Sequence, residues 1–114
     1  MSVALTEPQV VARAKTVTRR KGWLFLKPGD RLTLCRKVMG RQGATLVRLA
    51  EVEVVSVDRW TLNAIWPADV KREGFPEWTV HEFIAFFCEH MGGDATQVVT
   101  RIEWRYLDRQ GKTT

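Results

Sequence analysis

The chain has 114 residues, 45% of them hydrophobic, with five Trp, five Phe and 18 Lys+Arg against 13 Asp+Glu. That length supports one domain, 1–114, and the apolar content excludes a disordered or low-complexity chain. No run of 18 apolar residues exists, which excludes a membrane helix. The net charge of +5 is unevenly spread. From Arg13 to Arg48 there are eleven bases and one acid, Asp30, whereas from Leu49 onward there are seven bases and eleven acids. Such a basic lobe reads as a footprint for phosphate or nucleic acid, the alternative being an ordinary solvated face.

Thr6 followed by Gln9, with Pro8 in the first turn, predicts a capping box and a short helix carrying Val10, Val11 and Ala14. The stripe decays into Lys15 to Gly22, read as a basic loop. Lys27-Pro28-Gly29-Asp30 is a type II turn signal, because proline presets φ and glycine supplies a positive φ. Arg31 to Val38 then alternates as a strand, Gly40-Arg41-Gln42-Gly43 reads as a hairpin loop, and Thr45–Val57 is β-rich with imperfect alternation that a bulge would explain.

Trp60–Ala64 reads as one more strand. Pro67 to Gly74 suggests one or two helical turns ended by glycine. Thr79-Val80-His81-Glu82 is a second capping box opening a helix through Phe83, Phe86, Phe87 and Met91, stopped at Gly92-Gly93. The clearest strand runs from Val98 to Leu107, with Val98, Thr100, Ile102, Trp104 and Tyr106 alternating against polar neighbours. Residues from Asp108 read as a frayed tail, leaving a core of about 8–107. Two or three short helices among five or so strands, with no βαβ rhythm, argue an α+β, barrel-like domain. Trp60, Trp104, Phe83 and Phe87 are expected in the core.

The N-terminus has no basic segment leading into an apolar stretch, so no secretory signal is expected. Cys35 and Cys88 read as buried free thiols of a cytoplasmic protein rather than a disulfide. His81, Cys88 and His90 share a helix but not a ligating spacing, and no metal or cofactor is expected.

Lys15-Thr16-Val17-Thr18-Arg19-Arg20, then Lys27-Pro28-Gly29-Asp30-Arg31-Leu32, Arg72-Glu73-Gly74-Phe75, the helix of Phe83 and Phe87, and Arg101-Ile102-Glu103-Trp104 resemble, in order, the pieces of an ASCH domain. The resemblance spans Pro8 to Leu107. It implies a PUA-like fold, a small, partly open β-barrel of about five or six strands flanked by two or three short helices. It also implies binding of RNA, single-stranded nucleic acid or a modified nucleoside. Some small members remove the acyl group of N(4)-acetylcytidine, and one branch is a ribonuclease. Carried onto this sequence, the amidohydrolase triad falls on Lys15, Thr18 and Glu73. Two departures, the run Arg19-Arg20-Lys21 and the added Gly40–Gly43 hairpin, point to a larger or more anionic ligand.

The chemistry asks for the same residue types. A threonine hydroxyl needs a base to take its proton. Lysine serves only when desolvation or neighbouring cations (Arg13, Arg19 and Arg20 here) lower its pKa. A carboxylate such as Glu73 then moves the proton to the leaving amine or positions water. The expected ligand-binding set is Arg13, Thr16, Arg19, Arg20, Lys21, Trp23, Arg72 and Phe75, with Trp23, Trp66 and Phe75 as stacking candidates. Three readings stay open: catalysis, binding without chemistry, and a purely structural role for the same groups.

Overall fold

In a computed structural model, which describes residues 1–107, the strand with the cleanest alternation lies inside the sheet. This strand, β4 (Val98–Tyr106), pairs antiparallel with β1 (Val17–Arg20) on one side and with β3 (Gly43–Thr61) on the other. The outer partner of β3 is β2 (Arg31–Gly40), so the order β1-β4-β3-β2 makes a curled, antiparallel half-barrel. Helices α1 (Glu7–Val11), α2 (Pro67–Arg72) and α3 (Val80–Met91) pack around it. The α+β class is the one expected. The proposed tail from Asp108 lies outside the described residues.

Four strands stand among the described residues where five or six were expected, because β3 does not stop at Val57. It continues through Trp60 and Thr61, which pair with Val99 and Val98, and Leu62–Ala64 is a single 3-10 turn rather than a strand. The expected bulge is present. The register shifts between Val54 and Ser56, leaving Val55 exposed. At Val54 the backbone bonds the Lys27–Asp30 turn instead, through Gly29 N and Asp30 O, both at 2.8 Å. Gly29 has φ +93°, as the turn requires.

Local signals differ in how they fared. Thr79 and Glu82 form the full reciprocal capping box of α3, and Gly92 ends that helix at positive φ. Thr6 makes no side-chain cap; a 3-10 turn, Ala4–Thr6, enters α1 directly, and the Thr6 hydroxyl turns back to Val3 O. The basic segment read as a loop is in part strand β1. Val17 and Thr18 are β-branched, and pairing with Glu103–Thr100 satisfies their backbone at long range, which no local pattern discloses.

Side chains on the two faces of β4 enter different cores. Ile102, Trp104 and Tyr106 join Val3, Val10, Leu26, Leu34, Val52 and Val54. Val99, on the opposite face, joins Leu62, Ile65, Val70, Phe75, Phe83 and Phe87. Trp60 corrects the core assignment: it is 50% exposed near the end of β3. Cys35 is buried, Cys88 is half-buried, and both are free thiols. No helix among the described residues is long and apolar enough to cross a membrane.

Candidate functional site

Lys15 is held by its backbone before its side chain does anything. Its carbonyl accepts from Trp104 Nε1 at 3.1 Å and from the Tyr106 hydroxyl, and its N–H donates to Gln9 O. Thr16 N donates to Arg72 O at 2.8 Å, drawing the end of α2 alongside. Glu73 caps α2, and Gly74 then turns at φ +106°. A Cβ on Gly74 would lie 2.8 Å from the Gln9 side chain, so only glycine lets this segment approach α1 closely enough to seat Glu73 beside Lys15.

The side chains then form a buried chain of alternating charge. Lys15 Nζ donates to Glu73 Oε1 and to Glu73 O, both at 2.9 Å. Arg19 reaches Glu73 Oε2 at 2.9 Å with one nitrogen and Asp69 Oδ2 at 2.6 Å with another. Arg101 closes the line with a fork on Asp69, Nε to Oδ2 and Nη2 to Oδ1, each 2.9 Å. All five residues are buried, and the ring of Trp66 lies over both arginines, 5.9 and 5.4 Å from their guanidinium carbons. Arg19 and Arg101 come together because they face each other in the β1–β4 register.

Burial holds the Lys15 amine below its ordinary value, against the opposing pull of Glu73, and the Arg20 and Arg19 charges add to the lowering. For Asp69, burial works to raise the carboxyl, but hydrogen bonds from Arg101 and the charge and hydrogen bonds of Arg19 outweigh it. That carboxyl sits below the usual range.

Lys15, Thr18 and Glu73 open into one cleft of about 480 Å³ including its mouth. Arg19, Arg20 and Phe75 line it too. Its other walls are the Ser2–Thr6 segment and the α3 side chains Phe83, Phe86, Phe87 and Met91. Thr18 is buried on β1, and its Oγ1 accepts from Arg20 Nε at 3.3 Å. Arg20 also donates to Ser2 O at 2.8 Å.

The remaining expected ligand residues lie elsewhere. Arg13 is exposed, stacks over Tyr106 at 5.4 Å and lines a separate groove with Arg48 and Leu107. Thr16 is half-buried and spent on backbone bonds. Lys21 is exposed near Gly92, and Arg72 is exposed with a 3.4 Å contact to Asp69. Trp23 packs against the first core and Phe25. Sequence reasoning missed Asp69 and Arg101. Arg101 belonged to the resembling piece Arg101–Trp104 but was given no site role, and Asp69 lay in the short helical segment Pro67–Gly74 with no role assigned.

No family model and no curated protein matches the sequence. Solved structures do. A DUF984 protein from Enterococcus faecalis superposes with TM-score 0.62 at 17% identity, over 90% of this chain and 69% of that one. An ASCH protein from Zymomonas mobilis gives 0.59 at 11%, over 97% and 73%. An ASCH domain from Lactobacillus crispatus gives 0.54 at 13%, over 90% and 70%. The fold is ASCH-like. The half-barrel brings β1 and the end of α2 to the two sides of one cleft.

Proposed function

We propose that the cleft binds a nucleobase of RNA or of a modified nucleoside and hydrolyses an N-acyl group from the exocyclic amine of a cytosine. One observation carries this reading: Lys15, Thr18 and Glu73 meet in a single cleft whose far wall, with Phe75 and Phe86, suits a flat heterocycle.

In the proposed reaction the Thr18 hydroxyl attacks the acyl carbon and its proton passes to the neutral Lys15 amine. The C–N bond then breaks as that proton, relayed by Glu73, reaches the departing amine. Water next cleaves the acyl-threonine ester, releasing the carboxylic acid and restoring the hydroxyl. Arg19 holds the Glu73 side chain in place through Oε2. Desolvation of Lys15 favours the neutral amine that this route needs.

The test is release of acid from N(4)-acetylcytidine, with Lys15→Ala and Thr18→Ala each abolishing turnover. Wild-type activity should rise with pH on a limb below the ordinary lysine value of about 10.4, and a flat profile across that range would remove Lys15 as the base. Because Thr18 is buried and bonded to Arg20, Thr18→Ala should cost about 1 kcal/mol of stability rather than nothing. Turnover that persists in Thr18→Ala would move the nucleophile to a water activated by Glu73.

A second reading, binding without chemistry, has its own support. Lys15 Nζ spends its bonds on Glu73, not on Thr18, and an ammonium engaged in an ion pair is no base. Wild-type protein that binds the nucleoside yet releases no acid over hours would favour it.

A further inference from the structure

The hairpin formed by the far ends of β2 and β3 plays no part in the cleft, and its surroundings are unlike the rest of the sheet. Every residue from Lys37 to Leu46 is exposed, so no other element among the described residues covers either face of this ribbon. Met1–Val3 bonds the free edge of β2 only at Thr33 and Cys35. From Lys37 to Gly40 the strand runs on without another described element beside it, about 13 Å at roughly 3.3 Å per residue. Between Asp30 and Glu51 there are five bases (Arg31, Arg36, Lys37, Arg41 and Arg48) and no acid. Arg36 and Arg48, near the root, pair with Glu7 and Glu51. Lys37 and Arg41 have no carboxylate partner among the described residues. Between the cations sit Met39 at 71% exposure and Leu46 at 67%, with Lys37 directly opposite Leu46 on one face.

We propose that this arm inserts into the major groove of double-stranded DNA, Lys37 and Arg41 meeting phosphates while Met39 and Leu46 contact base edges and thymine methyls. Three arguments select this occupant. A two-stranded ribbon fits a groove about 12 Å wide and 8.5 Å deep, whereas the major groove of A-form RNA is too narrow and deep. From Arg31 to Arg59 there is no Phe, Tyr or Trp, so the arm has no platform for the unstacked bases of a single strand. A second copy pairing along the free edge of β2 would bring Arg36 and Lys37 against their own kind, a device that keeps edges apart.

The full-length chain is titrated by fluorescence anisotropy against a 20-base-pair DNA duplex, the matching RNA duplex and one DNA strand, at several salt concentrations. The DNA duplex should bind in the micromolar range at about 50 mM salt. Lys37→Ala with Arg41→Ala should weaken it roughly tenfold and reduce the log–log salt slope by about two. Met39→Ser with Leu46→Ser should weaken binding while leaving the slope unchanged. All four positions are exposed, and an unchanged thermal melt checks that the variants fold. Binding unaltered in the charge variant overturns the proposal, as does RNA duplex or single strand bound as tightly as the DNA duplex. A dimer in sedimentation that the same substitutions dissolve would assign the arm to self-association and overturn it equally. Acylcytidine hydrolysis is untouched by these variants, so the cleft and the arm are judged separately.

Discussion

Lys15 and Lys37 belong to the same basic half of the chain, 22 residues apart, and they live in opposite physical circumstances. Lys15 is buried, bonded twice to Glu73 and pushed toward its neutral form; Lys37 stands in solvent with no carboxylate beside it among the described residues. The same contrast separates Arg19 from Arg41. In the cleft, the charges of Lys15 and Arg19 are met at close range by Glu73 and Asp69. On the arm, cations are available charges whose Coulomb field reaches outward. A local excess of bases in a sequence therefore counts two quantities that do different work, and the number of paired acids from distant segments separates them.

The contrast breaks most severely at Asp69. Asp69→Ala would leave Arg19 and Arg101 buried without their shared carboxylate, and loss of one partner of a buried pair costs about 3–5 kcal/mol. Urea denaturation measures it. A loss under about 1 kcal/mol would mean that water reaches these arginines and that the cluster is not a structural charge network.

The same residue sets an acid limb. Its carboxyl is held below the ordinary range, so the unfolded chain binds the extra proton first. Its contribution to stability is complete above the unfolded value of about 3.9 and disappears as pH falls through the folded value. Stability of the wild type should fall across that window, and Asp69→Asn, already less stable, should fall less steeply there. Equal slopes would remove Asp69 from the account of acid sensitivity.

Gly74→Ala tests the approach that brings Glu73 to Lys15. The new methyl meets the Gln9 side chain and a backbone at φ +106° that alanine resists, for an expected loss of about 1–3 kcal/mol. The smallest effect belongs to the arm. Arg41→Ala removes an exposed loop cation, and its unfolding free energy, from urea denaturation, should change by no more than about 0.5 kcal/mol. A larger loss would show that the arm is held by contacts of its own and is not a free ribbon.

Features whose causes lie within a few residues of one another were legible in the chain. The Lys27–Asp30 turn needs a proline and a glycine two positions wide, the α3 cap needs Thr79 and Glu82 three apart, and β4 declares itself by alternation. The resemblance also singled out Lys15, Thr18 and Glu73, which line one cleft. Tertiary structure decided the rest. It made Val17–Arg20 a strand, because the partner that satisfies its backbone, Thr100–Glu103, lies 80 or more residues on. It left Trp60 in solvent although its type suggests a core. It also chose which cations are neutralised, since Asp69 is 50 residues from Arg19 and 32 from Arg101. Burying a charge is tolerable only when its counter-charge arrives in the same place. That coincidence is a property of the folded chain, and no window of neighbouring residues contains it.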